Sequence, residues 1–316
     1  FQNADKASDL KEVMTAAADV GITDAANLTS VFQNADQASD LKDVMEDAKA
    51  LATTGDTSLF TSVMQNADQA ASVKKVVAAA KTGGASANID NVLRNASSAD
   101  KLSKLVDKTS TGGTVNASLL DTVLENADKA EDLFDVVDAA ETTGGESFDV
   151  TSLLENADKA DKLKSLVDAA QTSGGADSDT LLTQVFNNAD KAEDLAAVIV
   201  EAQSSGTTDS GKALLNNADK AESFKASMDK AKSEGGAAKL GTLFSVIEKV
   251  DASNQGGSGD AANAAKALES LDALVSVAET LSGGDADMEL GAGFDAILSS
   301  VDDVDQIATA LSEDAS

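Results

Sequence analysis

Apolar residues fall into two stripes that alternate along most of the chain. Between residues 117 and 145 the first stripe is Leu119, Leu120, Val123, Leu124 and Ala127, and the second is Leu133, Val136, Val137 and Ala140. Both have the three- and four-residue spacing that puts side chains on one face of a helix. Asn126-Ala127-Asp128 separates them, and Thr143-Gly144-Gly145 follows the second. Glycine stops a helix because it enters the left-handed cap without steric penalty. The pattern predicts a short helix ending at Asn126, a tight corner, a longer helix and a Gly-Gly turn. Asp128 followed three residues later by Glu131 reads as a capping box for the longer helix, as do Asp158/Asp161, Asp190/Glu193 and Asp219/Glu222. Ser97/Asp100 and Asp302/Asp305 are looser versions.

The unit recurs. Asn-Ala-Asp begins at Asn3, Asn34, Asn66, Asn126, Asn156, Asn188 and Asn217, with the variant Asn95-Ala96-Ser97 between, at successive spacings of 31, 32, 29, 31, 30, 32 and 29 residues. One such hairpin cannot cover its own apolar faces, so hairpins must stack. The expected fold is all-α, a right-handed α-solenoid of about nine or ten hairpins with a period of about 31 residues. A single uninterrupted rod is the competing pattern. The glycine pairs starting at Gly83, Gly112, Gly144, Gly174 and Gly235 oppose it, because each mid-helix glycine costs roughly 1 kcal/mol. Thr23 and Asp24, Asp56 and Ser58, Ser147 and Asp149, and Asp177 and Asp179 read as N-caps of the short helices.

Residues 1–251 form the regular array, with an incomplete first repeat. Phe1-Gln2-Asn3-Ala4-Asp5 matches Phe32-Gln33-Asn34-Ala35-Asp36, so the chain starts at the end of a short helix. That start suggests a processed or truncated chain. It also leaves Leu10, Val13 and Met14 of the following long helix partly uncovered. Residues 252–316 are divergent: a Gly/Ser-rich loop in place of a helix over 252–260, a helix from about Ala261 to Leu281, and a last hairpin from Phe294 to Leu311.

Composition narrows the chemistry. The chain has no Pro, Cys or His, nine Phe and no Tyr or Trp, and a net charge of −31. Proline at ordinary usage would appear about sixteen times; its absence fits a helical chain punctuated by Gly and Asp. Stability has to come from packing, ions or assembly, since no disulfide can form. Arg94 is the only arginine, and so acidic a chain does not bind nucleic acid, which requires clustered cations. No apolar run is long enough to span a membrane.

Calcium is one candidate ligand, with Asp285, Asp287 and Glu289 and then Asp302, Asp303 and Asp305 as hard oxygen donors. EF-hand spacing needs Gly at the sixth place and Glu at the twelfth, and neither of two loops fits: from Asp285 the places hold Leu290 and Ala296, and from Asp251 Gly256 fits but Ala262 does not. The expectation is no cofactor. No catalytic constellation stands out, because the carboxylates sit at repeated caps rather than in a pocket that would split their pKa values. Three triplets, Asn27-Leu28-Thr29, Asn95-Ala96-Ser97 and Asn116-Ala117-Ser118, have the form of glycosylation acceptors, weak support for a secreted setting. The period is near that of tetratricopeptide and ankyrin repeats. The Trp, Tyr and Pro positions of the first and the Thr-Pro-Leu-His of the second have no counterparts here, which leaves only the general α-solenoid class.

Recognition solenoids vary their exposed positions, yet Asn-Ala-Asp-Lys-Ala occurs five times and Asn-Ala-Asp-Gln-Ala twice. That uniformity favours packing against identical copies. The reading is a non-enzymatic structural protein, extracellular or on the cell surface, joining head to tail into a filament, sheath or surface array. Its expected interface is Phe1, Leu10, Val13 and Met14 on one end and Phe294, Ile297, Leu298, Ile307 and Leu311 on the other. The alternative is a monomeric acidic scaffold for a basic protein or divalent cations.

Overall fold

A computed structural model describes residues 6–22, 24–51, 57–111, 114–144, 149–204, 208–255 and 274–278. The described residues are almost entirely helical, and the chain divides into two compact units, residues 1–141 with 147–161 and residues 142–146 with 162–316.

In the first unit short and long helices alternate. The long ones are α1 (Ala7–Asp19), α3 (Ala38–Leu51), α5 (Ala70–Gly83), α7 (Ala99–Lys108) and the start of α9 (Ala130–Gly144). The short ones are α2 (Ala25–Gln33), α4 (Ser58–Gln65), α6 (Ile89–Arg94), α8 (Ala117–Glu125) and α10 (Thr151–Glu155). Long packs on long in chain order from α1 to α7, and short on short from α2 to α10. The hairpins from α2/α3 to α6/α7 therefore meet through both of their helices. A two-residue antiparallel pairing, β1 (Ser110–Thr111) with β2 (Thr114–Val115), links α7 to α8. Gly84, at φ +88°, is the left-handed cap of α5, as the glycine pair predicts.

The second unit contains α11 (Ala160–Gly174), α12 (Ser178–Asn187), α13 (Ala192–Ser204), α14 (Thr208–Asn216) and α15 (Ala221–Gln255). Here α12 packs on α14, and α13 on both α14 and α15. Gly236, at φ 60° and ψ −139°, divides α15 into two helical segments, the second the longer, at the expected Gly-Gly turn. Helix continues through residues 252–255, where the sequence pattern predicted a loop in place of helix. Residues 242–255 contain no glycine, so nothing stops the helix earlier. Residues 274–278 are helical, with Leu274, Val275 and Ala278 buried. The rest of the expected 261–281 helix and the 294–311 hairpin lie outside the described residues.

Among the described residues each Asn corner from Asn34 to Asn217 is a three-residue 3-10 turn, such as Ala67–Gln69 and Ala127–Lys129. This corrects the capping-box expectation. Asp128 is the middle residue of the turn, not an N-cap, and the turn lacks a side-chain capping bond. Both alanines of the motif are buried: Ala127 and Ala130 are 0% and 1% exposed. The constant motif is thus not a uniform exposed surface. Two of its five positions are core, where only a small side chain lets the corner close. Of the predicted short-helix caps, Asp24 accepts from the Ala26 amide at 2.8 Å; Asp149 stands one residue before the N-cap Val150 and accepts from the Thr151 amide at 3.0 Å. Asp177 precedes α12 without a side-chain capping bond. Asn116 is a cap the sequence reading missed, accepting from the Ser118 and Leu119 amides.

Candidate functional site

The chemistry of this chain is concentrated where one hairpin meets the next. At the corner the asparagine side chain turns back along the helix it terminates. Nδ2 of Asn34, Asn66, Asn95, Asn126, Asn156, Asn188 and Asn217 donates to the carbonyl four residues earlier, at 2.8–3.0 Å. The asparagine caps a helix C-terminus, satisfying one of the carbonyls that the end of a helix orphans.

The residue receiving that bond extends the contact sideways. Ser30 Oγ donates to the Gln65 carbonyl at 3.2 Å, Ser62 Oγ to the Arg94 carbonyl at 2.9 Å, and Asn91 Nδ2 to the Glu125 carbonyl at 3.3 Å. Each acceptor is the residue just before the next corner asparagine. A relay thus runs from Asn34 through Ser30 to Gln65, and again from Asn66 and from Asn95. The signal was present in the sequence: Ser30, Ser62, Asn91, Thr122, Ser152 and Gln184 all stand four residues before the corner.

Lysines form the second set of cross-links. Lys42 reaches Glu12 at 2.8 Å, Lys74 reaches Asp40 and Asp43 at 2.8 Å each, and Lys75 reaches Asp107 at 2.7 Å. Lys81 pairs with Asp47 and Lys108 with Glu141. In the second unit Lys212 bridges to Asp177 at 2.7 Å and Lys232 to Glu201 at 2.5 Å. Hydrogen bonds to Asp40 and Asp43 raise the Lys74 pKa, and the bond to Glu12 raises that of Lys42. The corner lysine contributes too: Lys191 Nζ donates to the Asp219 carbonyl at 2.6 Å, and Lys129 makes the same contact with the Asp158 carbonyl. Lys101 lies 4.1 Å above the Phe134 ring, a cation–π contact between α7 and α9.

At the Asn217 corner a buried carboxylate is added to the helix carbonyl as an acceptor. Asp251, 7% exposed, accepts from Asn217 Nδ2 and Asn216 Nδ2, each at 3.0 Å.

The predicted interface residues fare differently. Val13 is fully buried, so the expectation that it lies partly uncovered is corrected: α3 packs over its face of α1. Leu10 and Met14 are half-buried. Phe1, Phe294, Ile297, Leu298, Ile307 and Leu311 lie outside the described residues, as do the calcium candidates Asp285, Asp287, Glu289, Asp302, Asp303 and Asp305. Among the described residues no three carboxylates cluster as a metal site, and no helix is long and apolar enough to cross a membrane. Of the three acceptor triplets, Asn27 is buried and Asn95 is occupied in its corner bond; Asn116 is exposed.

The sequence reading missed Phe32. It is 56% exposed, whereas the residues in its register, Met64, Leu93, Leu124 and Leu154, are all 0% exposed. In α4, α6, α8 and α10 the preceding short helix packs alongside; among the described residues α2 has no such neighbour. No family model, curated relative or solved structure matches the chain.

Proposed function

We propose that the protein is a non-enzymatic structural repeat protein. Its nine or ten hairpins form a right-handed α-solenoid, and its copies join head to tail into a filament, sheath or surface array outside the cell or on its surface. The supporting observation is the junction itself. Within the first unit neighbouring hairpins are joined by recurring devices: a lateral hydroxyl or amide at Ser30, Ser62 and Asn91, and lysines such as Lys42 and Lys74 that reach carboxylates of the preceding long helix. A hairpin's natural partner is another hairpin, and a heterologous contact of that kind propagates unless it closes.

Electron microscopy and sedimentation of the purified chain at near-physiological salt, with and without calcium, test this. Concentration-dependent fibres or arrays are expected. Particles that stay monomeric at all concentrations overturn the reading and favour a monomeric acidic scaffold. The charge supports that alternative, because 24 cations cannot pair with 55 carboxylates, and the excess could hold a basic partner or divalent cations. Removal of residues 294–316 separates the ends: it is expected to leave soluble monomers if the terminal hairpin docks.

A further inference from the structure

We infer that the order of the hairpins is set on the long-helix face by matched triples of side chains. Each triple joins the residue eight positions after one corner asparagine to the residues six and nine positions after the corner before it. The corner bonds are the same from hairpin to hairpin. So is the core: Ala38, Ala70, Ala99 and Ala130, and Leu41, Val73, Leu102 and Leu133, are all 0–1% exposed. Neither can distinguish one hairpin from another.

The triples do differ. Lys42, eight after Asn34, lies 2.8 Å from Glu12 and 3.9 Å from Asp9, which stand nine and six after Asn3. Lys74, eight after Asn66, lies 2.8 Å from both Asp40 and Asp43, six and nine after Asn34. Between α7 and α9 the chemistry is inverted in the same register. Phe134 is eight after Asn126, and Lys101 and Lys104 are six and nine after Asn95. Their Nζ atoms lie 4.1 and 5.3 Å from the ring centroid. Between α5 and α7 the eighth position holds a small neutral residue, Ser103, and Lys75 at the ninth reaches forward to Asp107 at 2.7 Å. In the second unit Lys225 holds the eighth position on α15. Its bond to Asp229 raises its pKa, and the charges of Asp194 and Glu193 on α13 raise it further.

Each contact lies at or near the surface and adds little stability by itself. Its effect is exclusion. Phe134→Lys would put a third ammonium between Lys101 and Lys104. Lys42→Phe would turn the negative face of a ring to Asp9 and Glu12. A hairpin packed out of order buries much the same apolar area, and the clash at its eighth position penalises it.

The first test uses full-length variants and urea unfolding at low salt, with circular dichroism to confirm helicity. Phe134→Lys is expected to lower the midpoint by about 0.3 M. Adding Lys101→Asp and Lys104→Asp rebuilds the arrangement around Lys74 and is expected to recover most of that loss. The recovery should fade at roughly 1 M salt, where the screening length falls to about 3 Å. Phe134→Leu reports the lost ring alone, and Val200→Lys, at an exposed site on α13, reports overall charge alone. Additive effects at low salt overturn the inference. Order itself is read in a chain with residues 35–66 and 96–126 interchanged. There Lys74 follows Lys101 and Lys104, Lys42 follows Lys75, and Phe134 follows Asp40 and Asp43. That chain is expected to unfold at lower urea than wild type, and Lys74→Phe, Lys42→Ser and Phe134→Lys together to restore it. A rearranged chain as stable as wild type, or one that the three substitutions fail to improve, overturns the inference.

Discussion

The side-chain amide of Asn126 donates to the Thr122 carbonyl at 2.9 Å. One residue of the corner thereby ends a helix and turns the chain, and Asn-to-Ala at this position removes the only side chain bonding that carbonyl among the described contacts. Asn126→Ala is expected to lower stability by about 1 kcal/mol, and Asn126→Asp by more, since a carboxylate would face a carbonyl at the negative end of the helix dipole. Urea midpoints for both variants check the order.

The corner also separates packing from capping. Ala127 is 0% exposed while Asp128 is exposed. Ala127→Val is expected to lose about 1–3 kcal/mol through overpacking, whereas Asp128→Asn should stay within about 0.5 kcal/mol of wild type. Thermal unfolding of the pair decides it. A large loss for Asp128→Asn would restore the capping-box reading.

Asn27 is the reverse case. Its Oδ1 is buried without a hydrogen-bond partner among the described residues, and its counterparts Leu59, Leu119 and Leu181 are buried leucines. An unpartnered buried acceptor is costly. Asn27→Leu should therefore raise stability by about 1 kcal/mol, read as a higher urea midpoint at unchanged slope.

Asp149 gives a pH signature. The Thr151 side chain and amide hold its carboxyl below the ordinary value of 3.8. A depressed carboxylate contributes fully above its unfolded value, and the contribution is lost as pH falls through the folded one. Asp149→Ala should thus cost about 1 kcal/mol at neutral pH, and the difference from wild type should shrink below about pH 4. Paired denaturation curves at pH 7 and pH 3 measure it.

Asp251 should be far less tolerant than the exposed carboxylates. Asp251→Ala leaves the amides of Asn216 and Asn217 without their shared acceptor, at an expected cost of about 1–3 kcal/mol. Lys74→Met, between Asp40 and Asp43 at 43% side-chain exposure, should cost no more than about 1 kcal/mol and less at high salt.

Helix identity, the two-helix unit and the corner positions were legible because they depend on local spacing and on glycine. The stripe at Leu133, Val136, Val137 and Ala140 lands wholly in the core. The role of Asp128 was misread because capping-box spacing is the same whether or not a 3-10 turn intervenes, and only backbone geometry tells them apart. Val13 is buried and Phe32 exposed. Both are apolar residues in early helices, and which one a neighbour covers depends on contacts about thirty residues away. The lateral bonds of Ser30 and Ser62 were hidden for the same reason: a serine on a helix is unremarkable until the adjacent helix supplies a carbonyl.

The interchangeability of the corners reaches beyond stability. Asn66 and Asn95 make the same bond and are each followed by a buried alanine, so excising residues 67–95 would rejoin Asn66 to Ala96 with the joint intact. Such a chain can be lengthened or shortened by whole modules, and recombination between like coding segments would change its size without any new junction having to be invented.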